Sequence, residues 1–242
     1  MDRNITYKAI GNKVILVEWK PIISKNILND ILQFKYKIEY QKEIQCDDII
    51  VAYNSLMIKY TKPFYNFDVE KDFLQLVYLS KIEVEKQQRF LWEIPVCYDE
   101  KYGLDLKEIA SIKGMSSAKI IELHEETIYT VFFIGFLPGF LYLGGLDKQL
   151  FIDRKPKPRL RVETGSVAIG GQQTGVYPIG SPGGWNIIGK TPVLFFDANT
   201  NNPCFAKSGD KVRFKSISLS EYKEIQRKVE RKSYQISKTL IE

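Results

Sequence analysis

Apolar and polar positions alternate along the first part of the chain in two rhythms, one short and one helical. Lys13 to Trp19 is β-branched and apolar, which predicts a strand. Ser24 suits a helix N-cap, and Ile27, Leu28, Ile31 and Leu32 then share one face of a helix. Ile49–Ala52 and Leu56–Tyr60 flank a short Tyr53-Asn54-Ser55 turn and predict a hairpin. Asp68 can cap a second helix, with Val69, Phe73, Leu76 and Val77 at helical spacing. Arg89–Pro95 returns as a strand. The order β-α-β-β-α-β is the ferredoxin-like arrangement, a four-stranded sheet with two helices on one face. It gives an α+β first domain over residues 1–95.

The rhythm changes in the middle. Asp105 is placed to cap a helix from Leu106 to Ile112, Gly114 breaks it, and Ser116 caps a second helix from Ser117 to about Glu126. Helix, glycine turn and helix also outline a DNA-reading motif. Its second helix, however, carries Glu122, Glu125 and Glu126 against Lys119, the wrong charge to meet phosphates. Beyond the strand Ile128–Ile134, glycine and proline become dense up to Pro192. Short strands are expected at Ser166–Ile169, Val193–Asp197 and Lys211–Lys215, between long ordered loops. That is an all-β pattern for residues 96–242, a barrel or a sandwich, closed by a charged helix over Ser220–Tyr234. Ordered loops of this length tend to carry function.

Composition narrows the chemistry. The chain has 242 residues, 44% of them hydrophobic and 26% charged, which excludes a disordered tail protein. No apolar run approaches the ~20 residues of a spanning helix, and the N-terminus lacks the layout of a signal peptide, so a cytoplasmic protein is expected. The net charge of +6 is spread over lysines interleaved with acids, a solvated surface rather than a nucleic-acid face. Cys46, Cys97 and Cys204 form no CxxC and are odd in number, so neither a disulfide framework nor a zinc ribbon is expected. His124 is the single histidine, which excludes multi-histidine metal sites and leaves one candidate base for any triad.

Several segments could carry chemistry, each with a plain structural alternative. Gly184 to Thr191 spells GxxxxGK[ST], but Pro192 and an apolar strand follow where a phosphate loop needs a helix. Lys190 could still meet an anion by another geometry. Gly170 to Gly175 sets Gln172, Gln173 and Thr174 between glycines, suited to a ligand with amide or carbonyl groups, or simply a tight turn. Ser181-Pro182-Gly183-Gly184-Trp185 reads as a binding wall with a backbone anion nest, or as a turn stapled by a core tryptophan. Phe136 to Phe140 with Tyr142 reads as a hydrophobic corner. His124, late in its helix, is either a dipole-favoured helix end or a proton carrier. Arg159, in an extended segment, suits a carboxylate or a surface ion pair.

Taken together, the stretches PVCYDEKYGLDLKEIA, IIELHEETIYTVFFIGFLPGFLYLGGLD, PRLRVETGSVAIGGQQTGVYPIGSPGGWNIIGKTP and GDKVRF resemble the family of 5-oxoprolinase B subunits. These proteins are also called KipI-like, or allophanate hydrolase subunit 1 domains. The likeness runs from about Ile94 to Phe214. Glu163-Thr164-Gly165-Ser166 stands where the family often has Pro-Ala-Gly-Ser, and Lys190 where it often has arginine, so an argument needing a bidentate arginine is weakened there.

The resemblance implies an N-terminal α+β domain and a cyclophilin-like β-barrel. It implies two partners, a KipA-like 5-oxoprolinase C subunit and the 5-oxoprolinase A subunit. With them the family carries out ATP-dependent opening of 5-oxo-L-proline to L-glutamate, Mg accompanying ATP. The chain alone is expected to be inactive. The lactam is unstrained, and phosphorylating its amide oxygen would expose the ring carbon to water. On this reading His124, Gln172 and Gln173 are catalytic. Arg159, Thr174, Tyr177, Ser181, Gly183, Gly184 and Trp185 bind substrate, the Ser181–Gly184 amides hold phosphate, and no metal is held by side chains. Two other roles occur among such proteins: an inhibitor that docks on a sensor histidine kinase, and a carboxyltransferase component of a urea carboxylase system.

Overall fold

Gly11, at a φ of 64°, turns the chain back between β1 (Thr6–Ile10) and β2 (Val14–Glu18), which pair antiparallel. A positive φ suits glycine, which has no Cβ to clash. The structure, a computed structural model, describes residues 5–82 and 87–241. The first residues of the N-terminal stretch read for a leader lie outside the described ones. The chain divides into two units, Met1–Gln87 and Gln88–Glu242.

In the first unit, α1 (Lys25–Tyr40), β3 (Cys46–Val51), β4 (Ser55–Tyr60) and α2 (Phe67–Leu79) follow β2. The sheet order is β1-β2-β4-β3. Ile15, Val17, Leu56 and Ile58 are buried from the sheet, and Leu28, Ile31, Phe34, Ile38 and Leu74 from the helices. The expected β-α-β-β-α-β order is therefore corrected to β-β-α-β-β-α. The place beside β2, where a ferredoxin-like sheet holds its last strand, is filled by β1. Two caps are also reassigned. Asn66, not Asp68, caps α2, its Oδ1 accepting from the Asp68 and Val69 amides at 2.9 and 3.5 Å. Ser24 has the extended backbone of an N-cap but makes no side-chain cap bond.

The strand expected to complete that first sheet, β5 (Phe90–Val96), belongs to the second unit. It is flanked on both sides there, parallel to β13 (Lys211–Ser216) and antiparallel to β14 (Ser237–Leu240). The boundary thus falls before this strand rather than after it. The other strands are β6 (Tyr129–Ile134), β7 (Leu141–Gly144), β9 (Ser166–Gly170), β10 (Gln173–Val176) and β12 (Asn186–Lys190). The eight-stranded order is β12-β9-β10-β7-β6-β13-β5-β14. Cys97, just past β5, exchanges both backbone hydrogen bonds with Lys190 at the end of β12, at 2.8 and 3.0 Å. This single bridge closes the sheet on itself. β8 (Arg159–Val162) and β11 (Ser181–Gly183) form a separate two-stranded flap.

Helices α3 (Leu106–Lys113) and α4 (Ser117–Glu126) pack on this sheet and on each other. Gly114 ends α3 at a φ of 61°, and the Ser116 hydroxyl caps α4. Helix α5 (Leu219–Glu230) opens on a capping box between Ser218 and Glu221. The expected strand at 193–197 does not form. Val193 and Phe195 are buried as a strand's alternate residues would be, but the segment has no ladder partner, and the Val193 amide turns to the Thr191 hydroxyl instead. No described helix is long and apolar enough to cross a membrane.

Candidate functional site

The Gly/Pro-dense segments of the second unit converge on a cleft of about 200 Å³. One wall is the β6–β7 turn, with Phe136 and Phe140, and Tyr142 of β7. Phe140 is the hub. Its ring meets those of Phe136, Tyr142, Tyr177 and Trp185 at centroid distances of 5.6, 5.1, 5.9 and 5.6 Å. Phe136 itself is exposed and sits at a φ of 63°, a left-handed backbone uncommon for a bulky residue. Edge-to-face rings suit the aromatic quadrupole and hold one another rigid.

The opposite wall joins Tyr177, Gly183, Gly184 and Trp185 to Arg154, Lys155 and Pro158. Gly170 of one expected binding loop and Gly183 of the other serve this wall. A methyl group on Gly170 would overlap the Trp185 indole, and one on Gly183 would overlap the Tyr177 ring. GGQQTG is thus a hairpin turn that makes room for Trp185. Arg154 lies over the Trp185 ring at 5.8 Å, a cation–π contact. The Lys155 amide donates to the Gly184 carbonyl at 2.7 Å, which ties the flap to the wall.

Behind the cations stands Asp105, whose position before Leu106 predicts a helix cap. It makes no side-chain cap bond. Its buried carboxylate accepts from Arg159 Nη2 at 2.6 Å, from Lys155 Nζ at 3.1 Å and from the Ile187 amide at 2.6 Å. Lys155 also meets Glu108 at 2.7 Å. Burial lowers the Lys155 ammonium, but the Glu108 and Asp105 carboxylates outweigh it and hold its pKa above the usual value. Arg159 Nη1 is buried without a hydrogen-bond partner among the described residues. Burial pushes the Tyr177 hydroxyl up, against the Trp185 backbone amide and the charges of Arg154 and Arg159.

The structure brings Tyr177, Gly183, Gly184 and Trp185 together at the cleft, with Arg159 behind it. The other expected residues lie elsewhere. His124 is wholly buried, stacked on Phe214 at 4.5 Å. Thr174 donates its hydroxyl proton to the Ala168 carbonyl, so it accepts from His124 Nε2–H at 2.8 Å, and Nδ1 then accepts from the Tyr98 hydroxyl at 2.8 Å. Burial lowers the His124 pKa to about 3. The ring is a neutral core bridge that joins α4 and β10 to Tyr98, just past β5, so the proton-carrier expectation is corrected. Gln172 is exposed at the hairpin tip, Gln173 is half-buried, and Thr174 is fully buried. The Ser181 hydroxyl turns to the Pro182 carbonyl, and β11 pairs with β8 through Ser181 and Gly183. Lys190 Nζ lies over the Tyr102 ring at 5.8 Å, away from the cleft lining.

Sequence reasoning does not single out Arg154, Lys155 or Asp105 as site residues. The available signal is the basic run between Asp153 and Arg159, interrupted by prolines that enforce an extended chain. The cleft does not fit a nucleotide: small-molecule pockets occupy ~300–1,000 Å³, and this one is smaller. Gly184–Thr191 does not fit one either, since its centre is strand β12, paired to β9. Among the described residues, no three His, Cys, Asp or Glu side chains gather to hold a metal ion.

Residues 5–206 match the family described as carboxyltransferase domain, subdomain C and D. The 5-oxoprolinase B subunit of Bacillus subtilis is 40% identical over 177 residues, 72% of this chain and 72% of that protein. The protein of the same name from Escherichia coli O157:H7 is 48% identical over 131 residues, 54% of this chain and 60% of that one. The crystal structure of Kluyveromyces lactis urea amidolyase covers 98% of this chain with 16% of its own length, at a TM-score of 0.80 and 18% identity, a likeness of fold. A family match that starts in the first unit and runs far into the second, with such identity to two named relatives, places the chain among the 5-oxoprolinase B subunits, in the family of carboxyltransferase subdomain C and D proteins.

Proposed function

We propose that the chain is the B subunit of an ATP-dependent 5-oxoprolinase, working with a KipA-like C subunit and an A subunit to hydrolyse 5-oxo-L-proline to L-glutamate. The observation that carries this is the cleft itself, a space of about 200 Å³ with aromatic walls and an arginine at its edge. Such a space suits a five-membered ring that bears one carboxylate. The ring packs among Phe140, Tyr142 and Trp185, and Arg154 meets the carboxylate, as guanidinium groups do. Gly183 and Gly184 leave the flap side open to the ring's amide edge. Asp105 holds Lys155 and Arg159 in place, so the cationic edge is set before the ligand arrives.

ATP supplies the driving force for opening an unreactive lactam. This chain's own part is to bind the ring, orient its carboxylate and keep water off its apolar face. The bridge that closes the eight-stranded sheet supports a cyclophilin-like barrel for the second unit. The test is direct. The three purified proteins, mixed with 5-oxoproline and ATP, should release glutamate, and an Arg154→Ala/Trp185→Ala double variant should lose most of that turnover. Undiminished turnover would remove the cleft from the reaction.

A further inference from the structure

A second concavity, a groove of about 680 Å³, lies beside the cleft, and Arg154 and Lys155 line both. Lys113, Arg154, Lys155 and Lys157 give it four cations, against the acids Glu108 and Asp153. One of the four, Lys155, is held by Asp105 and Glu108. Glu108 is occupied by Lys155. Lys113 donates to the Phe151 carbonyl, one of the three bonds an ammonium can give. Among the described residues, Lys113, Arg154 and Lys157 have no carboxylate partner. The remaining lining is apolar: Ile112, which is 61% exposed, Phe151, Ile152 and Pro156. An exposed isoleucine beside uncompensated cations suits a ligand with a flat apolar body and a highly charged end. The groove's volume falls in the ~300–1,000 Å³ range of small-molecule sites, which the cleft does not reach.

We propose that this groove binds a nucleoside polyphosphate, with the base on Ile112, Phe151 and Pro156 and the phosphates toward Lys113, Arg154 and Lys157. Because Arg154 and Lys155 border both spaces, the terminal phosphate lies next to whatever fills the cleft. That last consequence rests on the function proposed for the cleft; the groove's own binding does not.

The experiment titrates the purified full chain by calorimetry with ATP, inorganic triphosphate and, separately, 5-oxoproline. Lys157→Glu and Ile112→Asp line only the groove, and both positions are exposed, so the fold is retained. ATP should bind the parent chain more tightly than triphosphate. Lys157→Glu should weaken ATP by about tenfold or more, the scale of one charge-assisted phosphate contact. Ile112→Asp should weaken ATP more than triphosphate. Neither change should alter 5-oxoproline binding. No saturable ATP binding, equal affinity in Lys157→Glu, or triphosphate binding as tightly as ATP would overturn the proposal. ATP binding as expected without any 5-oxoproline binding would leave the groove standing and count against the cleft's proposed substrate.

Discussion

The His124 bridge predicts a specific acid sensitivity. The native ring titrates at about 3, because burial disfavours its charge. In the unfolded chain the ordinary value of about 6.5 returns. As pH falls below about 6.5, the unfolded state takes up a proton that the native state refuses, so stability is lost on acidification. The loss continues until the native pKa is reached, and above the unfolded pKa it vanishes. Between pH 7.5 and pH 5 the linkage amounts to about 2 kcal/mol. His124→Gln removes the titration but also disturbs the bonds to Tyr98 and Thr174, so its absolute stability is lower. The informative quantity is the gap between parent and variant. Urea denaturation at pH 7.5, 6.5, 5.5 and 5.0 should show that gap narrowing by about 2 kcal/mol toward pH 5. A gap that stays constant would mean that the ring is charged or solvated in the native state, and the neutral-bridge assignment would fail.

Other outcomes follow from the packing. Asp105→Asn removes the charge that Arg159 and Lys155 share and should cost about 1.5–3 kcal/mol, read as a fall in thermal midpoint. Gly170→Ala drives a methyl into the Trp185 indole and should cost about 1–3 kcal/mol. Combined with Trp185→Ala, its extra cost should shrink toward zero in the same melts, since the clashing ring is gone. Asn66→Ala should cost about 1 kcal/mol as the lost cap of α2, whereas Ser24→Ala, where no cap bond exists, should fall within a few tenths. Urea midpoints separate the two, and equal losses would refute the cap assignment.

The helices are legible in the sequence because their signals are local. Apolar spacing finds α1 and α2, and Ser116 and Gly114 mark the ends that they mark in the structure. β1 is readable in the same way, since alternation before Gly11-Asn12 is a hairpin signal, yet the expected order omits it. The placement of β5 is not readable. Its residues say strand, but its parallel partner β13 is far along the chain, and only that pairing decides which sheet it joins. The cleft is half visible. SPGGW and the FLPGF corner meet there, but Gly170 and Gly175 of GGQQTG are explained by the bulk of Trp185, a contact between segments that no spacing reveals. His124 misleads for a different reason. It lies four positions after Ile120 on the buried face of α4, so periodicity places it inward, while its chemistry suggests a site.

Phe136 sets two demands on one residue against each other. An L-residue held with left-handed backbone carries a penalty of about 1–2 kcal/mol, and this ring recovers little of it, being mostly in water. Replacing it with glycine or asparagine relaxes the turn while stripping the mouth of the cleft. A chain that melts later and grips its ligand less would identify position 136 as one kept for occupancy rather than for folding.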